Sequence, residues 1–188
     1  MNQVIILSGP PGAGKTAVAE ALCERFDRMV HVEVDDLRHW VKAGYRHPWA
    51  GDQQAMEQLE LGARNASAVA RESIAMRYAV VITDVVLGAT VAHYDAALRG
   101  IGVPVHLVTL LPTLEETLRR DSLRTHSIPE RVREVHEEIS GAVHAGTMPG
   151  AVLDTTEDAD AWVTADRVQD VVSRGLAVFL DPAQPIGR

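Results

Sequence analysis

The run Gly9-Pro10-Pro11-Gly12-Ala13-Gly14-Lys15-Thr16 constrains the rest of the chain. It satisfies G-x-x-x-x-G-K-[ST], a phosphate-binding loop, at every defined position. Val4-Ile5-Ile6-Leu7 before it reads as a buried strand, and Val18, Leu22 and Phe26 after it recur at helical spacing. Glycines let successive backbone amides point inward, and the start of the following helix adds partial positive charge. Lys15 is expected to reach the β- and γ-phosphates of a nucleotide and Thr16 to hold Mg²⁺. The expected nucleotide contacts run from Gly9 through Pro10, Pro11, Gly12, Ala13, Gly14, Lys15 and Thr16 to Ala17. A glycine-rich turn without a ligand fits the composition of the loop but not its full motif in this context.

A chain of 188 residues suits one domain with a single core. Its net charge of −8 weighs against a strongly basic surface and hence against long nucleic acid as a partner. The single cysteine, Cys23, falls on the apolar side of the first helix, where packing is expected rather than redox work. No basic start followed by a long apolar run suggests a signal peptide, and no apolar run reaches the ~20 residues of a membrane span. A soluble, cytoplasmic protein is expected.

Strand-like and helix-like stretches alternate. A second strand is expected from Met29 to Asp35, a short helix over Asp36 to Ala43, and a long helix over Gln53 to Arg77 with Met56, Leu59, Ala63, Ala66, Ala70 and Ile74 on one face. Ala79 to Thr83 is a third strand and Val103 to Leu110 a fourth, with a helix over Thr90 to Arg99 between them. Thr113 with Glu116, and Ser127 with Glu130, have capping-box spacing before two further helices. A short fifth strand, Ala151 to Leu153, precedes a helix over about Asp158 to Arg174. The pattern predicts an α/β fold: five parallel strands with helices on both faces. One domain is expected over residues 1–180, with a loose tail over 181–188. In such a sheet ligands bind beyond the C-terminal strand ends, where the loop, Asp35, Asp84 and Asp154 all fall.

Each of these residues has a chemical and a structural reading. Asp35 can orient a hydroxyl attacking a phosphate, or cap a helix. Asp84, ending a very apolar strand, can support Mg²⁺ through water or Thr16, or serve as a turn residue. Arg119, Arg120 and Arg124 form the densest basic cluster, which can reach a transferring phosphate or be a solvated face paired with Glu116 and Asp121. Arg38, Trp40, Lys42, Tyr45, Arg46, His47 and Trp49 crowd the segment before the long helix, two of three tryptophans among them. This segment can line a pocket that stacks a ring, or pack under a loop.

With these motifs the chain resembles the small P-loop kinases, the group that includes polynucleotide kinase, chloramphenicol phosphotransferase and tunicamycin-resistance-type ATP-binding proteins. The resemblance runs from Val4 to about Arg174. It rests on Val34-Asp35-Asp36-Leu37-Arg38 and on Leu118-Arg119-Arg120-Asp121-Ser122-Leu123-Arg124 followed by Ile128-Pro129, with Leu153-Asp154-Thr155-Thr156 in support. It implies a three-layer, nucleotide-kinase-like P-loop fold with a small helical lid over about 119–129. It also implies Asp35 as catalytic base, Arg38 as a substrate contact, and Arg120 and Arg124 facing the nucleotide and its phosphates.

The expected activity is a kinase, using ATP and Mg²⁺, that phosphorylates a hydroxyl of a small molecule such as an antibiotic or metabolite. Lys15, Asp35 and Arg124 would be catalytic. Arg38, Trp40, Arg46 and Asp84 would contact the acceptor, with Thr16 and Asp84 serving the metal. A nucleoside, nucleotide or polynucleotide kinase is a second reading, and a nucleotide-dependent switch or ATPase a third. No glutamate follows Asp84 to activate water, and no N-K-x-D motif reads guanine.

Overall fold

The structure, a computed structural model, describes residues 2–182. Strands β1 (Val4–Ser8), β2 (Met29–Glu33), β3 (Ala79–Thr83), β4 (Val105–Leu110) and β5 (Ala151–Leu153) form a parallel sheet in the order β2-β3-β1-β4-β5. β1 is central: Val4 pairs with Val80 on one side and Val105 on the other. The connecting helices are α1 (Lys15–Cys23), α2 (Val34–Arg38), α3 (Gln53–Ala75), α4 (Ala89–Leu98), α5 (Leu114–Ser122), α6 (Pro129–His144) and α7 (Ala161–Ser173).

Alternation along β1 feeds two cores. Val4 and Ile6 pack with Ala63, Ala66 and Ala70 of α3 and with Tyr94 and Leu98 of α4. Ile5 and Leu7 pack with Val18, Ala19 and Leu22 of α1 and with Val168 and Val172 of α7. A strand covered on both faces has no polar side to offer, which explains its unbroken apolar sequence. The alanines of α3 let that helix lie close against the sheet. Cys23 is half-buried beside the second core, and burial pushes its thiol pKa up.

The structure corrects several expectations. The sheet has a sixth strand, β6 (Val178–Leu180), antiparallel to the first residues of β4, while β5 occupies the last ones. A three-residue strand has too little pattern to be read from sequence. β2 ends at Glu33, and helix α2 starts at once, so Asp35 lies in a helical first turn and not at a strand end. Asp35 is no N-cap: that position belongs to Glu33, without a side-chain cap bond. Ser127 does not cap α6 but donates to Asp121 at 2.7 Å. α7 begins at Ala161, capped by Asp160, because Asp158 is engaged by Arg167 and Thr164. Met56 is 46% exposed, off the buried face of α3. The end of the tail, 183–188, lies outside the described residues. No described helix is long and apolar enough to cross a membrane.

Leu22 is fully buried. Leu22→Ala is expected to lower unfolding free energy by about 2–5 kcal/mol, read from the denaturation midpoint in urea.

Candidate functional site

The loop between β1 and α1 is shaped by close approach. Gly9 has φ +142°, and a Cβ there would fall 2.3 Å from the Leu110 carbonyl oxygen at the end of β4. Gly12 has φ +86°, and a Cβ there would fall 2.6 Å from the Thr117 carbonyl oxygen of α5. Only glycine meets both demands. The Lys15 ammonium donates to the carbonyl oxygens of Gly9 at 2.8 Å and Pro10 at 3.1 Å, bracing the loop from within. Burial lowers its pKa, against the pull of Asp35, Glu33 and Asp84. Thr16 Oγ1 donates to Glu33 Oε2 at 2.8 Å.

A charged chain ties the acid of α2 to the core. Arg38 Nη1 donates to Asp35 Oδ1 at 2.6 Å, and its Nη2 donates to Asp84 Oδ1 at 2.7 Å. The arrangement follows from local geometry. Helix α2 places Asp35 and Arg38 one turn apart, and β3, paired with both β1 and β2, delivers Asp84 between them. The Asp84 side chain is wholly buried, and it also accepts from Val85 N at 2.7 Å and from the Tyr94 hydroxyl at 2.9 Å. Burial alone would lower the Arg38 pKa, but Asp84 and Asp35 outweigh it and hold it raised. Burial and then Asp84 push the Tyr94 pKa well up, so its hydroxyl stays a donor. Asp35 is the open end of the chain: its side chain is 70% exposed, and no donor among the described residues reaches Oδ2.

The arginine-rich segment is held unequally. Glu116 accepts from Arg119 and from Arg120, each at 2.6 Å, and these bonds draw its pKa down to about 2. Arg120 also donates to the Thr155 carbonyl at 2.9 Å, fixing it against the turn after β5. Arg124 reaches Asp121 only at 3.5 Å and remains 54% exposed. Asp121 is buried and ties the far side of the turn through Ser127 and the amide of Ile128.

One cavity of about 980 Å³ gathers most of these groups. Gly12, Gly14, Lys15, Thr16 and Ala17 line it, as do Asp35, Arg38, Asp84, Arg120 and Arg124. Pro11 does too, while Gly9, Pro10 and Ala13 are buried in the loop. Trp40 and Arg46 are not on its wall: Trp40 is 67% exposed, and Arg46 pairs with Asp52 at 3.3 Å. Asp154 is also outside, accepting from the amide of Thr156 at 2.9 Å. Two residues around this site escaped the sequence reading. Glu33 ends β2 on the same sheet edge as the loop, a position that could have marked it. Tyr94 looked like one more apolar helix residue, whereas Glu116 pairs with Arg119 and Arg120 as one of the two readings of that cluster expects.

Magnesium can be tested against these residues. Among the described residues no cluster of three or more histidine, cysteine or acidic side chains could hold a metal alone. Mg²⁺ asks for less: one or two protein oxygens plus the phosphates it arrives with. Thr16 with Glu33 fits that demand. The Asp84 carboxylate, on the same cavity wall, already accepts from three donors, Arg38, Val85 N and Tyr94.

Tyr94→Phe leaves a buried Asp84 oxygen without its donor. It is expected to cost about 1–3 kcal/mol in chemical denaturation. Glu116 has a folded pKa below its ordinary 4.5, so its contribution is full above 4.5 and lost as pH falls towards about 2. The stability difference between wild type and Glu116→Gln, followed by thermal melting, should shrink over that window.

The fold is shared with several solved structures. The tunicamycin resistance protein of Deinococcus radiodurans is 20% identical with TM-score 0.64, covering 95% of this chain and 98% of its own. Shikimate kinase from Acinetobacter baumannii is 20% identical with TM-score 0.56, covering 93% and 94%. The APS kinase of Mycobacterium tuberculosis, solved with AMPPNP and APS, is 16% identical with TM-score 0.59, covering 92% and 98%. No curated protein matches the chain. A family model described as an AAA domain matches residues 4–146, so the chain belongs to that family of P-loop, kinase-like proteins.

Proposed function

We propose that the protein is an ATP-dependent kinase, working in the cytoplasm, that transfers the γ-phosphoryl group to a hydroxyl of a small acceptor. The observation that carries this is the placement of Asp35. Its free carboxylate oxygen opens on the same cavity as Lys15 and Thr16, and its other oxygen is fixed by Arg38. A kinase needs little covalent chemistry from its protein; it needs a held triphosphate, a held hydroxyl and neutralised charge.

The residues divide that work. The loop amides and Lys15 receive the phosphates, with Lys15 exchanging its bonds to Gly9 and Pro10 for phosphate oxygens. Arg124, loosely held, swings to the transferring group, while Arg120 stays anchored to Glu116 and Thr155. Asp35 accepts the proton of the attacking hydroxyl, and Arg38 keeps its carboxylate aimed and contacts the acceptor. Mg²⁺ held by Thr16 and Glu33 would offset charge on the phosphates. Asp84 serves that centre by holding Arg38. The segment 119–129 acts as the lid that keeps water from the phosphates. The kinases of like fold, one solved with shikimate and one with AMPPNP and APS, support a small acceptor.

Asp35→Asn is expected to lower phosphoryl transfer at least about 100-fold, with ADP affinity by calorimetry within a few-fold of wild type. In the same assay Lys15→Ala should weaken nucleotide binding and transfer together. Wild-type transfer by Asp35→Asn would remove the assigned base.

A further inference from the structure

The cavity wall changes character between the phosphate loop and the segment joining α2 to α3. That segment supplies four rings in series. His39 lies 5.5 Å from Tyr45, Tyr45 meets His47 edge-on at 5.3 Å, and His47 stacks on Trp49 at 4.7 Å with planes 16° apart. All four line the cavity, with Leu59 and Leu87 beside them. Trp49 has one face covered by His47 yet remains 48% exposed, so its indole still presents surface to a ligand. Aromatic side chains placed this way attract planar rings through stacking.

Charge narrows the choice further. Arg38 turns both terminal nitrogens to Asp35 and Asp84, its Nε is buried without a partner among the described residues, and Arg131 donates to Glu134 at 3.0 Å. The remaining cations on the wall, Lys15, Arg120 and Arg124, are those assigned above to the nucleotide. Against them the cavity sets the carboxylates of Glu33, Asp35, Asp84 and Glu138. A phosphate or carboxylate on the acceptor would have to draw Arg38 or Arg131 away from the carboxylate that each already serves, a costly exchange in a partly desolvated site.

We propose that the acceptor is an alcohol that carries a planar ring and no anionic group, its ring stacked on the His47–Trp49 pair and its hydroxyl turned to Asp35. This rests on the kinase reading for the chemistry, though not for the binding. In the transfer, a bond forms between the acceptor oxygen and the γ-phosphorus, the bond from that phosphorus to the ADP oxygen breaks, and the hydroxyl proton passes to the Asp35 carboxylate.

The test uses matched probes on the full chain. Uridine, benzyl alcohol and phenyl glucoside carry a planar ring without charge. Methyl glucoside lacks the planar ring, and phenyl glucuronide and para-carboxybenzyl alcohol add a carboxylate. Calorimetry without nucleotide measures binding, and labelled ATP measures transfer. At least one uncharged ring probe should bind, at least about tenfold tighter than the ringless and anionic probes, and Trp49→Ala should weaken it about tenfold. Equal or tighter binding of methyl glucoside or of the anionic probes overturns the proposal, as does unchanged affinity in Trp49→Ala. Should that variant fail to fold, the comparison among probes on the wild-type protein decides. Trp49-dependent binding without labelled product would sink the kinase reading and leave the ligand class standing. Labelled methyl glucoside or phenyl glucuronide as the sole product would do the reverse.

Discussion

A guanidinium buried between two carboxylates cannot be removed without leaving a charge stranded in the core. Arg38 is 7% exposed and Asp84 3%, and breaking such a pair typically costs roughly 3–5 kcal/mol. Here the same guanidinium also fixes Asp35, the one member of the chain that faces the cavity freely. The position of the acid is therefore set from inside the sheet and not by the surface around it. That is possible only because β3 lies between β1 and β2, which brings Asp84 between the phosphate loop and α2.

The remaining charges divide into those already fixed and those free to exchange partners. Glu116 and the Thr155 carbonyl hold Arg120, whereas Arg124 is loosely tethered to a buried aspartate. Lys15 spends its hydrogen bonds on the loop's own carbonyls. These are bonds that an arriving phosphate can replace with stronger ones between opposite charges. For the kinase activity proposed above, rigid acid and exchangeable cations are complementary: the hydroxyl must be aimed before the reaction, while the charge to be stabilised moves during it.

Much of this was legible in the residues. The glycine-rich loop announced itself, and continuous apolar runs at β1, β3 and β4 marked strands buried on both faces. Asp35 was legible as an acid at the sheet edge and Arg38 through the resemblance of their motif, but the reason they belong together, one helical turn, lies in α2 starting at Val34. Asp84 was visible as a strand-end carboxylate, yet its engagement by Arg38 and Tyr94 depends on contacts 46 and 10 residues apart, which no local pattern encodes. Glu33 was hidden by sequence distance from Thr16. Trp40 and Trp49 looked equivalent in composition. They differ because His47 and Tyr45 fold one of them into the ring series and leave the other in solvent.

The hydrogen on Gly12 sits where a methyl group would collide with the backbone of α5. The phosphate loop and the helix leading into the arginine segment thus bear directly on each other, without an intervening side chain to absorb movement. A substitution that shifts α5 will deform the loop, so weakened nucleotide affinity in a variant of that helix is not by itself a sign that the altered side chain touched the nucleotide.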